Sequence, residues 1–329
     1  MKAIRITERG SPEVLQIQDA GDPIPSISEV LVEVKATALN RADVLQCYGM
    51  YAPPPGVAPD IPGLEYAGTV ASMGSKVSRW RPGDRVMGIV GGGAFAQKLV
   101  THERECVPIP GEMPFRDAAA IPEAFFTAFD AMVLQGGLQS GETALIHAVA
   151  SGVGTAGLQI STALSATVLG TSRSQAKLDR CVRELGLAHP ILCDPTAPGF
   201  APRVKEITGG LGADLALELV GGDYLPETVA SLATRGRILL VGLLAGAEAN
   251  LDLRLLLSKR IRVIATVLRS RPIEEKISLA RTFEHQLLPL FRAGRLRPVV
   301  DSVFPAPRVH EAFSRMTSDE SFGKVVLEW

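Results

Sequence analysis

The chain has 329 residues, 46% of them hydrophobic and 21% charged, with a formal net charge of −1. That length exceeds what one hydrophobic core usually organises, so two domains are expected. The balanced charge exerts no overall pull toward nucleic acid or an anionic membrane, and no apolar run approaches the ~18 residues of a spanning helix.

The opening Met1-Lys2-Ala3-Ile4-Arg5-Ile6 alternates like a strand rather than an export signal. Cys47, Cys106, Cys181 and Cys193 form no C-x-x-C pair. They are expected to be reduced thiols in a cytoplasmic protein. Short β-like runs follow at 2–7, 14–18, 30–36, 66–73, 85–90 and 95–100. Gly10, Pro23, Pro25, Pro62 and Pro82-Gly83-Asp84 punctuate them, which predicts a mostly antiparallel β domain.

Near residue 123 the rhythm changes. A helix is predicted over 123–136, then an apolar strand over 144–148 and a helix over 153–165. Further strands are expected at 167–171, 190–193, 214–220, 237–243 and 261–267. Helices are expected at 174–185, where Gly186 can end the helix, and at 225–233. Apolar strands spaced by helices indicate a buried parallel sheet. The tail then returns to helix at 273–294 and 309–316 with strands at 299–304 and 324–329. It is expected to rejoin the first domain.

Gly152-Val153-Gly154-Thr155-Ala156-Gly157 is the G-x-G-x-x-G pattern of a dinucleotide site, placed between a predicted strand and a predicted helix. The first glycine suits a tight turn, the second a close approach to pyrophosphate, and the third close helix–strand packing; the helix N-terminus faces the phosphates. NAD sites place a carboxylate about 20 residues later, on the ribose hydroxyls. Here Ser172, Arg173 and Lys177 stand instead, with no carboxylate among them. Two cations and neighbouring hydroxyls suit a 2′-phosphate, which predicts NADPH. An ordinary solvated helix start is the alternative for Arg173 and Lys177, and Asp194, after the third strand, speaks against a phosphate.

This arrangement resembles the medium-chain dehydrogenase/reductase superfamily over the whole chain. Asn40-Arg41-Ala42-Asp43, Gly63-Leu64-Glu65, Ala119-Ala120-Ile121-Pro122-Glu123, Leu145-Ile146-His147-Ala148 and Ser151-Gly152-Val153-Gly154 are similar to the zinc-free, zeta-crystallin-like quinone oxidoreductases. The loop Gly49-Met50-Tyr51-Ala52-Pro53-Pro54-Pro55-Gly56, with Leu268-Arg269-Ser270-Arg271, is similar to their stress-inducible, tumour-suppressor-regulated branch. The resemblance implies a GroES-like catalytic domain over 1–122 and 270–329 and a doubly wound Rossmann domain over 123–269. Zinc-dependent relatives carry a cysteine where Asn40 falls and a histidine where Leu64 falls, so no metal is expected.

The resemblance also implies a nicotinamide near Asn40, Glu123, Thr127 and Ser151. Val220, Gly221, Gly242, Leu243, Leu268, Arg269 and Lys324 would flank the cofactor, with Lys324 as a plain surface lysine the alternative. A quinone takes hydride from the dihydronicotinamide with little help beyond a dry slot and one donor to the forming oxyanion. Tyr51 and Asn40 are the candidate donors, with Ser151 beside the nicotinamide and Tyr48 behind them. Tyr51 packing on Pro53-Pro54-Pro55, Asn40 bridging backbone, and an Arg41–Asp43 ion pair are the structural alternatives; His147 reads as a satisfied structural histidine. The expected activity is NADPH-dependent reduction of small hydrophobic quinones. Reduction of enones or alkenals is the nearest rival, and a dinucleotide-binding regulatory, structural or RNA-binding role the third. Aromatics at 5% and no basic run argue against RNA. The resemblance further implies a homodimer paired through the nucleotide domains, with the apolar 261–267 strand as the place of contact; an uncovered edge there would invite aggregation.

Overall fold

The computed structural model describes residues 1–194 and 198–329. In chain order the first stretch holds β1 (Lys2–Ile6), β2 (Leu15–Asp19), β3 (Glu29–Ala38), α1 (Arg41–Cys47), β4 (Glu65–Met73), β5 (Arg85–Ile89), β6 (Lys98–His102), β7 (Val107–Pro108), α2 (Phe115–Ala118) and α3 (Pro122–Phe129). Next come β8 (Thr143–Ile146), α4 (Gly152–Ala163), β9 (Thr167–Ser172), α5 (Gln175–Leu185), β10 (His189–Leu192), α6 (Ala201–Ile207), β11 (Ala213–Glu218), α7 (Tyr224–Ser231), β12 (Leu232–Leu240), α8 (Leu253–Lys259) and β13 (Arg262–Ala265). The chain closes with α9 (Ile273–Gln286), α10 (Leu288–Arg292), β14 (Val300–Pro305), α11 (Val309–Thr317) and β15 (Lys324–Glu328). Two compact units result: Met1–Phe126 with Leu268–Trp329, and Thr127–Val267.

The first unit is built on a sheet in the order β14-β15-β3-β4-β5-β7, with β6 also paired to β3. Every pairing in it is antiparallel except β14 with β15. Alternation explains why β3 is central: Val30, Val32, Val34, Ala36 and Ala38 all point inward. The three valines pack with Val70, Trp80 and Val86. The tail closes the sheet because Val325 and Leu327 of β15 are buried with Ile4, Leu15, Phe95 and Phe313. Here Val326 pairs with Ala38, so the return of the tail is seen directly.

The second unit is a six-stranded, all-parallel sheet in the order β10-β9-β8-β11-β12-β13. The chain winds outward from β8 in one direction and from β11 in the other. Ligands of such sheets bind outside the carboxyl ends of the strands at that reversal.

Several local expectations are corrected. The sixth β run begins at Lys98, because the Phe95 amide bonds to Pro62 O instead of a sheet neighbour. The 123–136 helix is α-helical only to Phe129 and continues as a π-helix over Asp130–Gln135. The 273–294 helix breaks at Leu287, two residues before Pro289. Helices α1, α2, α6 and α8 were not anticipated. For α1 the signal was present: Asp43 Oδ2 accepts from the Asn40 amide at 2.8 Å, the return bond of a capping box.

The parallel sheet has one polar knot in its interior. His147, fully buried after β8, meets Thr171 Oγ1 through Nδ1 and Thr228 Oγ1 through Nε2, both at 2.9 Å. Thr228 donates to Glu218 Oε2 at 2.7 Å, so its oxygen is left to accept from the His147 Nε2–H. Burial holds the imidazole below its usual pKa, which keeps it neutral despite Glu218. His147 is therefore the satisfied structural histidine expected. Thr228→Val leaves both His147 Nε2 and Glu218 Oε2 short of a partner and should destabilise the protein by about 1–3 kcal/mol. Denaturant unfolding reads this directly; an unchanged midpoint would contradict the network.

Candidate active site

In the second unit, the turn after β8 is set by three local features. Ala148 takes a left-handed φ of 46°, Ser151 N bonds to Ala148 O at 2.9 Å, and Ser151 caps α4 by accepting from the Gly154 amide at 3.0 Å. A Cβ on Gly154 would stand 2.4 Å from Ala148 O and 2.7 Å from Val149 Cα. This glycine is required by the chain's own backbone, a tighter reason than the pyrophosphate clearance expected of it. A Cβ on Gly157 would lie 3.0 Å from Met132 Sδ and 3.1 Å from Leu217 Cδ2, so this position does serve helix–sheet packing. Among the described residues, nothing accepts from the Gly152 and Val153 amides, and both residues keep partial exposure. Two open amides at the N-terminus of a twelve-residue helix fit a bound phosphate.

The end of β9 presents Ser172, exposed Arg173 and half-buried Lys177. Ser172 Oγ accepts from the Ser174 amide at 3.2 Å, and Ser174 Oγ caps α5 by accepting from the Lys177 amide at 3.4 Å. The serine oxygens thus shape the turn, leaving only their hydroxyl protons to donate outward. Asp194, exposed, follows β10. At the ends of β11 and β12 the structure brings Val220, Gly221, Gly242 and Leu243 together. Glu218 Oε1 accepts from both the Val220 and Gly221 amides, at 2.9 and 3.0 Å, and Gly242 leaves only 2.5 Å between a would-be Cβ and Leu219 O. Thr127, 8% exposed, lies on α3 in this same unit.

In the first unit, the end of β3, α1, the start of β4, the first turn of α3 and the start of β15 converge on a charged cluster that is mostly buried. Glu65 is fully buried. Its Oε1 accepts from Lys324 Nζ at 2.8 Å and from Asn40 Nδ2 at 3.0 Å, and its Oε2 accepts from the Glu123 amide at 2.8 Å. Lys324 also donates to Leu39 O at 2.7 Å and to Asn40 Oδ1. At 6% exposure it is no surface lysine. Asn40 spans Glu65 and Lys324 with its two side-chain atoms, so the bridging reading describes it, with side-chain charges as well as backbone as its partners.

Asp43 is fully buried and accepts from the amides of Asn40 and Gly63, the latter at 3.0 Å. The expected Arg41–Asp43 pair is absent; Arg41 instead meets Asp319 at 2.7 Å on the surface. Burial pushes the Asp43 carboxyl up to about 6, against its two amide donors. Glu123, partly buried, is pushed up to about 8, first by desolvation and then by Glu65 and Asp43, with Lys324 and Arg269 opposing.

Arg269, 4% exposed, donates to Gly91 O at 2.7 Å, to Tyr51 O at 2.8 Å and to Gln46 Oε1, with its guanidinium 4.7 Å from the Tyr51 ring centre. It clamps the loop carrying Tyr51, a role its place among expected cofactor contacts did not foresee. The half-exposed Tyr51 hydroxyl has no partner among the described residues, and burial with the nearby Glu123 raises its pKa. Tyr48 is 47% exposed on the same loop. Leu268 lines a small apolar cavity with Phe126, Leu279 and Ala280.

Glu65 and Asp43 were missed as site members. The available signal was a lone glutamate between Leu64 and Tyr66 in an otherwise apolar run. The donor set does not suit zinc: Leu64 has no lone pair to give, the Asn40 oxygen already faces an ammonium, and no group of three His, Cys, Asp or Glu residues among the described ones could hold a metal.

Comparison with known proteins agrees with this geometry. Residues 26–111 match the alcohol dehydrogenase GroES-like domain and residues 152–283 the family model described as zinc-binding dehydrogenase. A quinone oxidoreductase of Lama guanicoe is 33% identical over 99% of this chain and 97% of its own, and a quinone oxidoreductase-like protein 2 homolog of Nematostella vectensis is 31% identical over 99% and 88%. Among solved structures, an NAD-dependent alcohol dehydrogenase superposes with a TM-score of 0.89 at 30% identity, covering 100% of both chains. A quinone oxidoreductase of Pseudomonas syringae gives 0.88 at 27%, over 100% and 99% of the two chains. The enoyl reductase CurK gives 0.86 at 28%, over 99% and 98%. The two units are thus a GroES-like and a Rossmann domain, and the fold is that of enzymes using a nicotinamide dinucleotide. The chain belongs to the zinc-free quinone oxidoreductase family of the medium-chain dehydrogenase/reductase superfamily.

Proposed function

We propose that this protein is a cytoplasmic, metal-free reductase that passes hydride from NADPH to small hydrophobic quinones. The observation that carries the cofactor choice is the end of β9, where Arg173 and Lys177 stand and no carboxylate follows before α5. A guanidinium and an ammonium there match a 2′-phosphate and leave the ribose hydroxyls of NADH without an acceptor. The phosphates would rest on the Gly152 and Val153 amides, with Gly154 and Gly157 allowing the turn and Ser151 orienting it. Within the same unit, Val220, Gly221, Gly242, Leu243 and Thr127 complete the expected surround. When bound, the cofactor supplies the hydride.

The acceptor needs an apolar surface with one donor. Tyr51 offers both, as an aromatic face backed by Arg269 and a hydroxyl without a partner. Asn40 is held by Glu65 and Lys324 and contributes by fixing their positions. Reduction of enones is the second reading, favoured by the likeness to CurK, whose name is enoyl reductase. We also propose a homodimer. Strand β13 forms the edge of its sheet, and Val263, Val267 and Leu257 are 47%, 48% and 76% exposed on or near it. Covering that edge with a second copy removes an aggregation-prone surface, and light scattering should read the mass of two chains.

Steady-state oxidation of NADPH and NADH against matched quinones, enones and aldehydes tests the function. Quinones with NADPH should give the highest kcat/KM; turnover of enones alone would reject the leading reading. In the same assay Arg173→Ala with Lys177→Ala should weaken NADPH selectively, by about 1.5–3 kcal/mol for each charged hydrogen bond lost. Equal loss for both cofactors would overturn the assignment.

A further inference from the structure

Hydrogen-bond donors are unequally shared among the three carboxyls of the first unit. Glu65 accepts from Lys324, Asn40 and the Glu123 amide, and Asp43 accepts from the Asn40 and Gly63 amides. Among the described residues nothing donates to the Glu123 carboxyl. One lysine and one arginine face the cluster, Lys324 bonded to Glu65 and Arg269 engaged with Gly91, Tyr51 and Gln46. The charged or titratable neighbours of Glu123 are Glu65 on β4, Asp43 on α1, Lys324 on β15, and Arg269 and Tyr51 on loops. Three carboxyls face one bonded ammonium and one more distant guanidinium, a shortage of positive charge that opposes ionising all three. The carboxyl without donors is the one with least to gain from ionising. The first turn of α3 favours an anion, but it acts against two nearby carboxylates and desolvation.

Glu123 also retains partial exposure, and its charge lies near enough to Tyr51 to help raise the phenol's pKa. We propose that Glu123 is the acid of the reaction, holding a proton at neutral pH and giving it to the oxyanion of an acceptor seated on Tyr51. The assignment rests on the reductase reading and deepens it by favouring acceptors whose reduction sends an electron pair through a conjugated system onto a carbonyl oxygen: quinones and conjugated enones. As hydride reaches the acceptor, its π bond opens and the electron pair moves to oxygen. The Glu123 O–H bond breaks and the proton forms the new O–H of a hydroquinone or enol. Glu123 is left as a carboxylate, which water reprotonates. The acceptor is reduced by two electrons, and NADPH, the reductant, becomes NADP⁺.

The proton can be observed without turnover. Infrared difference spectra of the wild-type protein should show a carboxylic C=O stretch lost as pH rises through about 8, and Glu123→Gln should lack it. A wild type without that band overturns the proposal. In single-turnover assays Glu123→Gln should lower the rate about 10²–10⁴-fold, the range of general acid catalysis, and lose the alkaline limb of the wild-type profile, with KM for NADPH unchanged. Glu123→Asp, which keeps an ionisable carboxyl, should retain a shifted limb and so separate proton transfer from damage to the fold. A Glu123→Gln protein that raises KM for NADPH at unchanged kcat would overturn the acid role in favour of a cofactor contact. If the wild type reduces neither quinones nor enones, the proposed function and the transfer step fall together. The infrared band then decides the proton's residence alone.

Discussion

The ion pair between Lys324 and Glu65 holds the catalytic unit's polar centre together. Lys324 opens the last strand, Glu65 opens β4, and Asn40 caps α1 just after β3, so one ammonium ties together segments from opposite ends of the chain. Both charges are almost fully removed from water. Such a pair adds little net stability over an apolar replacement, yet losing one partner strands the other and costs about 3–5 kcal/mol. Its value lies in placement. With Lys324 assigned to Glu65, Glu123 has no cation bonded to it and Asp43 must rely on backbone amides.

The same pair explains why a metal site cannot be reconstructed from the family resemblance. The centre already holds a fixed positive charge, supplied by a side chain and shared with Asn40. Leucine at position 64 then removes a ligand where a metal would need one. What is left is a carboxyl-rich cluster around one bonded ammonium with an aromatic neighbour, where the proposed proton of Glu123 would finish the reduction of a hydride acceptor. Arg269 supports this cluster by tying Tyr51 O to Gly91 O and Gln46 Oε1 and by placing its guanidinium over the Tyr51 ring.

Most of the fold was legible because its signals are local. Alternation in β3, the apolar runs of the parallel sheet, and the glycine spacing after β8 each depend on neighbours within a few residues. The turn over Gly152–Gly157 could be read for the same reason, although Gly154 proved to be constrained by Ala148 and Val149. The charged centre was largely illegible, since its members come from positions 40, 43, 65, 123 and 324. Asn40, Glu123 and Lys324 entered through resemblance, while Glu65 was quoted in a motif without a role. For Asp43 the sequence offered a local pair with Arg41 as an alternative, but Arg41 meets Asp319 in space. Local reading also overextended the helix after Glu123, where the chain widens to a π-helix that no periodicity announces.

The central claim, that Glu123 stays protonated because Lys324 serves Glu65, has a thermodynamic signature. A carboxyl whose folded pKa lies near 8, against an ordinary value of 4.5, binds more proton in the folded state across that interval, so its contribution to stability declines as pH rises through it. Denaturant unfolding of the wild type and Glu123→Gln at a series of pH values measures this. The account predicts that the variant becomes progressively more stable relative to wild type between about pH 4.5 and 8, then holds a constant difference. Parallel stability curves over that range would contradict it.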